Sequence, residues 1–364
     1  MKAIQFSKFG GRDVLEYVEV PKPVPQGDEL LIEVTASGVN FVDIRERMGV
    51  YARPETHVGQ DKLLPRISGL QVVGHVVDAG PSGDHGLRGK KVMALLHEGG
   101  YAQFAVSRAD RTIVLPEEAD DTMFAAIPTQ GMTAWLMLNA STQLRAGESV
   151  LVHGAGGGVG SVAVQIAKAM GAGLVIASAG SEEKRAFALS VGADVAIDYD
   201  QSEWPAEVLK STDGKGVDII LESIGGEIFE KNFDCLATFG RYIIFGSTRG
   251  PGKPFEPRRL MSKSQTMTGI YLPVFDAKPE LIHQGMQYLA DQAIAGQLRA
   301  QVSVILPLSQ TAEGRRRGAR SAVLNWAPGF SSGHDDSRSN ARLARLESKI
   351  CLTKTCRPLR PEAL

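Results

Sequence analysis

The sequence predicts an α/β protein: a doubly wound parallel sheet beside a second domain of short strands. Three observations lead there. Near the middle, an apolar run, a glycine-rich turn and a helical segment follow one another between residues 148 and 170. From that turn to residue 279, short apolar runs alternate with helical stretches. Before residue 126 the chain reads instead as strands separated by prolines and glycines. Alternating strands and helices build parallel sheets, whereas closely spaced strands build barrels and sandwiches.

The turn comes first because the rest is arranged around it. Val150-Leu151-Val152, preceded by Ala146-Gly147, reads as a buried parallel strand. Val159, Val162, Ala163, Ile166, Ala167 and Met170 recur at helical spacing. Between them, Ala155-x-Gly157-x-x-Gly160 fits the dinucleotide fingerprint with alanine in its first position. Gly157 lets the backbone approach a pyrophosphate, and Gly160 lets the helix pack closely on the strand. Val159, just after Gly158, opens the helix, whose first N–H groups and positive dipole end face the phosphates. A glycine motif alone is weak; strand before and helix after are what make it a binding signal.

The alternation continues with strands at Leu174–Ala177, Val195–Tyr199, Val217–Glu222 and Arg241–Phe245, and a sixth at Met267–Leu272. Helices intervene from Ser181, a predicted N-cap followed by Glu182 and Glu183, and over 204–212 and 227–237. Such a rhythm predicts a Rossmann-type sheet with right-handed crossovers. The preceding region offers strands at Lys2–Phe6, Val14–Val20, Glu29–Ser37, Gln71–Ala79, Lys91–Leu96 and Tyr101–Val106, with one helix over Asn40–Met48. Residues 120–140 are helical and lead into the glycine turn. A helix over Pro279–Gln297 and a strand over Gln301–Leu306 return the chain to the β-rich region. The predicted domains are therefore 1–125 with 280–313, and 126–279.

Composition narrows the function. With 364 residues, 43% of them hydrophobic, the chain can bury two cores. A net charge of −1 argues against nucleic acid or a membrane surface as the main partner. Three cysteines are too few for a disulfide framework, and the start MKAIQFSKFGG lacks the apolar stretch of a secretory signal. No run of 18 apolar residues is present. These features point to a cytoplasmic protein.

The end of the parallel strands decides the cofactor. Ala177-Ser178-Ala179-Gly180 offers no carboxylate to hold a ribose 2′-hydroxyl, whereas Ser178, Ser181 and Lys184 can donate to a 2′-phosphate. That favours NADPH. No histidine stands at metal-ligand spacing, and no cysteine precedes Cys235.

The motifs GVNFVD (38–43), GVY (49–51), PTQGMTAW (128–135), AGESVLVHGAGGGVG (146–160), IDY (197–199), VDIILESIGG (217–226) and GRYIIFGSTRG (240–250) occur in order. On these, residues 1–313 resemble the zinc-free, zeta-crystallin-like quinone oxidoreductase branch of the medium-chain dehydrogenase/reductase superfamily. The resemblance implies a cofactor domain, a barrel-like substrate domain and a homodimer. It also implies hydride transfer from NADPH to a quinone or an α,β-unsaturated carbonyl. Asn40, Asp43, Tyr51, Gln130 and Thr133 would face the cleft. Asn40 and Tyr51 would contact the acceptor, Thr133 would lie on the nicotinamide side, and Gln130 would also bind the cofactor. Tyr199 would sit near the adenosine phosphate, and Phe245-Gly246-Ser247 along the cofactor. Asp43, at a helix start, also reads as a brace for that helix. The slots of the superfamily's zinc ligands hold Asn40 and Gly69-Leu70-Gln71, so no metal is expected. A cofactor-binding protein with little turnover is the alternative.

Residues 314–364 differ in kind, with eleven basic and four acidic residues and scattered apolar ones. They read as a divergent, disordered tail that leaves the β-domain without its last strand. The competing reading is that Ser321–Leu324 folds back in that strand's place.

Overall fold

The computed structural model describes residues 1–50, 64–311 and 322–325. The amino-terminal region supplies β1 (Lys2–Phe6), β2 (Glu16–Glu19), β3 (Glu29–Val39), α1 (Phe41–Arg47), β4 (Arg66–Ile67), β5 (Gln71–Ala79), β6 (Lys91–Leu95), β7 (Phe104–Arg108) and β8 (Thr112–Val114). Two helices, α2 (Asp121–Ala125) and α3 (Pro128–Trp135), lead out of it, and a π-helical turn, Leu136–Ser141, extends α3. The central unit then runs β9 (Ser149–His153), α4 (Gly158–Ala169), β10 (Leu174–Ser178), α5 (Glu182–Ser190), β11 (Val195–Ile197), α6 (Trp204–Ser211), β12 (Val217–Glu222), α7 (Glu227–Cys235), β13 (Leu236–Ile244) and β14 (Thr266–Gly269). The chain returns through α8 (Pro279–Ile294), β15 (Val304–Pro307) and β16 (Ala322–Asn325).

The central sheet has the order β11-β10-β9-β12-β13-β14 and is parallel throughout. The chain leaves β9 first to one side and later to the other, so the crevice above β9 and β12 is the topological switch point. Strand parity assigns the two buried faces. Val150 and Val152 join the core that contains α3, α4 and α8, whereas Leu151 joins Ile176, Trp204, Phe233 and Tyr242 on the other face. With helices on both faces, these strands are apolar without alternation, which is why they read clearly in the sequence.

The substrate-side sheet has the path β15-β16-β3-β5-β6-β8, with β7 also on β3. One edge of the eleven-residue β3 is shared: β7 pairs with Glu29–Glu33 and β16 with Ala36–Val39. This corrects the expectation that nothing beyond residue 313 completes the β-domain. β16 lies antiparallel to β3 and parallel to β15, and Val323 and Leu324 are fully buried. A four-residue strand entering a slot between two formed strands pairs its backbone on both sides, so one buried side chain on each face, Val323 and Leu324, suffices. The rest of the tail, including the expected helix at Asn340–Lys349, lies outside the described residues.

Helix α8 clamps the two units. A side chain on Gly285 would come within 2.7 Å of Met132 and Trp135, and one on Gly131 within 2.7 Å of Leu289. The two glycines thus let α3 and α8 approach closely, which accounts for Gly131 in the PTQGMTAW stretch. Smaller differences matter at the site. β11 ends at Ile197, so Tyr199 lies in the loop beyond it, and Asn40 precedes α1 as its N-cap.

Candidate active site

The glycine turn is built for close approach. Gly154 has φ +65°, and Gly157 caps α4 with no side-chain hydrogen bond. The Gly157 N–H donates to Gly154 O at 2.8 Å, and the Ala155 N–H to Ser178 O at 3.1 Å, which ties the turn to β10. A Cβ on Gly160 would fall 2.7 Å from Ala155 Cα and nearer still to Gly154 O. One on Gly156 would strike the Lys184 stem at 2.5 Å, and one on Gly158 would meet Gln130 at 3.0 Å. Ala155, Gly157, Gly158, Val159, Gly160, Gln130 and Lys184 are therefore brought together at the switch point. The opening N–H groups of α4 have no intrahelical acceptor and no side-chain cap. A dinucleotide's pyrophosphate fits this cradle.

Below the turn lies a polar network that the sequence reading did not anticipate. His153 shares hydrogen bonds with Ser178 Oγ (2.6 Å) and Asn232 Oδ1 (2.7 Å). The Glu222 carboxylate accepts from the N–H groups of Ile224 and Gly225 and from Asn232 Nδ2. Asn232 also donates to the Tyr242 hydroxyl at 3.0 Å, and burial with the nearby Glu222 charge pushes that phenol's titration up. Ser178 is thus a correction: its hydroxyl is 0% exposed and held by His153, so it does not face a phosphate. Parity is the reason. Ser178, His153 and Glu222 share the strand face of Ile176, Leu151 and Ile220, which points into the protein. The available signal was a serine, a histidine and a glutamate, each ending a buried strand.

Beyond β10 the structure changes a second expectation. The chain near residues 177–180 carries no acid, yet Asp200 arrives from beyond β11. A Cβ on Gly180 would meet Asp200 Oδ2 at 2.6 Å and the Tyr199 ring at 3.2 Å. Arg249, from beyond β13, pairs with Asp200 at 2.6 Å and lies 4.9 Å from the Tyr199 ring centroid. Burial raises the Tyr199 titration and the Arg249 charge opposes that shift. Ser181 caps α5, accepting from the Lys184 N–H at 3.4 Å.

On the substrate side, the Asn40 N–H donates to Asp43 Oδ2 at 2.7 Å and the Tyr101 hydroxyl donates to the same oxygen at 2.5 Å. Asp43 therefore braces the start of α1. Thr133 Oγ1 donates to Thr129 O at 2.8 Å within α3. Gln71 spans the two units: its Oε1 accepts from the Thr129 N–H at 2.6 Å and its Nε2 donates to Gln130 Oε1 at 3.4 Å. Phe245 N–H donates to Glu222 O at 2.9 Å, and the loop with Gly246 and Ser247 runs beside Ser223 and Gly225. Tyr51 lies outside the described residues.

Comparison with known proteins places this architecture. Residues 26–117 match the alcohol dehydrogenase GroES-like domain and residues 158–287 the zinc-binding dehydrogenase family. A quinone oxidoreductase of Sus scrofa is 35% identical over 315 residues, covering 86% of this chain and 92% of that protein. The chain belongs to the quinone oxidoreductase family, within the medium-chain dehydrogenase/reductase superfamily. A solved mycobacterial quinone oxidoreductase shares the fold with a TM-score of 0.80 at 30% identity, over 89% of this chain and 99% of its own. The Escherichia coli quinone oxidoreductase complexed with NADPH gives 0.79 at 28% identity, over 89% of this chain and 100% of its own.

The zinc in one matched family's description does not fit this quinone oxidoreductase family member. The carboxamide of Gln71, in a ligand slot, is 0% exposed and hydrogen-bonded to Thr129 and Gln130. Cys235, the one cysteine among the described residues, is buried away in α7, with its thiol pushed up to about 12 by burial. Among the described residues no group of three or more His, Cys, Asp or Glu side chains could hold a metal ion. No described helix is long and apolar enough to cross a membrane.

Proposed function

We propose that the protein is an NADPH-dependent, zinc-independent oxidoreductase that reduces a quinone or an α,β-unsaturated carbonyl. The observation that carries this reading is the glycine-rich start of α4, without a side-chain cap, at the switch point. The nicotinamide, when bound, supplies a hydride, and such acceptors take one up as a delocalised oxyanion that a solvent proton completes. The chain's part is to bind, orient and exclude water. The N–H groups of Gly158, Val159 and Gly160 receive the pyrophosphate. Ser181, Lys184 and Tyr199 serve the 2′-phosphate end, beside Gly180. Phe245, Gly246 and Ser247 line the path to the nicotinamide. Gln130 and Thr133 border it on α3, and Asn40 and Tyr51 contact the acceptor. Developing negative charge on the acceptor oxygen needs donors already in place, because a preorganised donor loses no energy to reorientation during the step.

A β-domain without its last strand would favour a binding protein with little turnover. With β16 in that slot, the enzyme reading is the better supported one. We further propose a homodimeric, cytoplasmic protein. Mixing protein and NADPH with a panel of simple quinones and enones tests the reading. Rapid loss of nicotinamide absorbance is expected with at least one class. Tight NADPH binding without oxidation by any acceptor would replace the enzyme by the binding role.

A further inference from the structure

We propose that Asp200 and Arg249 form the element that discriminates between cofactors: Arg249 joins Lys184 as a cation for the 2′-phosphate, and Asp200 restrains it. The proposal rests on the NADPH reading above. Three features of the pair support it. The first is placement. Three strands, β10, β9 and β12, separate β11 from β13, so the Arg249 side chain reaches across the carboxyl end of the sheet to Asp200. Its target lies against Gly180, the position just past β10 where the ribose 2′ substituent is read in this fold. Only glycine there leaves room for the Asp200 carboxylate.

The second feature is that the backbones are fixed while the heads are free to exchange. The Arg249 N–H donates to Ile224 O at 2.7 Å, and the Gly226 N–H to Gly250 O at 3.1 Å. Asp200 is held by its N–H donating to Asp198 Oδ1 at 2.9 Å, and Asp198 is itself paired with Arg185 at 2.8 Å. Yet the side chains of Arg249 and Asp200 are 48% and 41% exposed. The third is the other cation. The Lys184 stem lies against Gly156 of the glycine turn, so Lys184 approaches from the pyrophosphate side and leaves room for a second cation at the 2′-phosphate.

A phosphate dianion carries more charge than a carboxylate and matches the guanidinium fork, so it displaces Asp200 from Arg249. A 2′-hydroxyl cannot displace it, but can itself donate to Asp200. The two residues therefore pull in opposite directions: Arg249 towards NADPH, Asp200 towards NADH.

Direct titration of NADPH and NADH into the wild type and variants, without acceptor, tests this. Arg249→Gln is expected to weaken NADPH roughly ten- to a hundredfold, as for loss of a charge-assisted contact, and NADH by less than about threefold. Arg249→Lys should fall between. Asp200→Asn should tighten NADPH and weaken NADH, and the wild-type preference should shrink with salt because the pair is exposed. Circular dichroism checks the fold; if Arg249→Gln does not fold, Arg249→Lys and Asp200→Asn decide. Equal losses of both cofactors in the arginine variants, or no change in preference with Asp200→Asn, overturns the assignment. A wild type that binds neither cofactor overturns the NADPH reading itself.

Discussion

In the six-stranded sheet each strand is parallel to its neighbours and covered by helices on both faces. In the seven-stranded sheet most pairs are antiparallel, and one edge of β3 is filled by β7 and by β16 from the far end of the chain. The first sheet pairs strands consecutive in sequence on either side of one non-consecutive pairing, β9 with β12. The second depends on a pairing between residues separated by most of the chain, Val39 with Ala322 among them. Each unit is therefore vulnerable in a different place. The cofactor sheet fails locally, at a turn or a strand end. The substrate-side sheet fails when one distant strand cannot dock.

The largest expected effect breaks that distant strand. Val323→Asp buries a carboxylate at a fully buried position and should destabilise by more than about 3 kcal/mol. Thermal melts and limited proteolysis should show the β-domain opening first; an unchanged melt would remove β16 from the account. Gly160→Val attacks the other sheet. Overpacking against Gly154 O and Ala155 Cα should remove about 1–3 kcal/mol and abolish dinucleotide binding. Retention of NADPH affinity in a titration would contradict the cradle. Gln71→Leu probes the seam between the units. It orphans the buried Thr129 N–H, for about 1–3 kcal/mol, and releases Gln130 beside Gly158. A chemical-denaturation midpoint equal to the wild type's would show the seam is carried elsewhere.

The smallest effect sits at the link between them. Asp120 caps α2, accepting from the N–H groups of Thr122 and Met123. Burial opposes its ionisation, but a hydrogen bond from the Thr122 hydroxyl, together with those from the two N–H groups, outweighs it and holds the carboxyl below its ordinary value. A depressed carboxylate stabilises above its unfolded value, and that stabilisation is lost as pH falls through the folded one. Asp120→Ala should therefore cost about 1 kcal/mol at neutral pH, as for loss of an N-cap. The gap from the wild type should close in acid; melts at neutral and acid pH would reveal a gap that instead persists.

Much of the fold was legible because its cause is local. Val150-Leu151-Val152, the glycines to Gly160 and the helix after them each follow from a few adjacent residues, and Ser181 as a cap needed nothing more. Asp43 as a brace was legible too, as one of its two readings, since a carboxylate at a helix start can accept from the N-terminal N–H groups. Ser178 misled because composition tells that a serine ends a strand, not which face it takes. Arg249 went unnoticed because nothing near residue 249 mentions residue 200. Val323 and Leu324 looked too few to order a segment; what they lacked in area the two flanking ladders supplied.

Adjacent residues alone are enough to specify the doubly wound sheet, the dinucleotide turn and the absence of thiolate and His-Glu ligands in the expected zinc slots. These are encoded in hydrophobic runs, glycine geometry and residue identity, all short-range properties. Tertiary structure alone decided that Ser178 is buried, that Gln71 ties β5 to α3, that Asp200 and Arg249 meet beside Gly180, and that β16 closes the second sheet. Each of these joins groups that only strand order brings together, and the free energy of such contacts exists only once the intervening chain has folded.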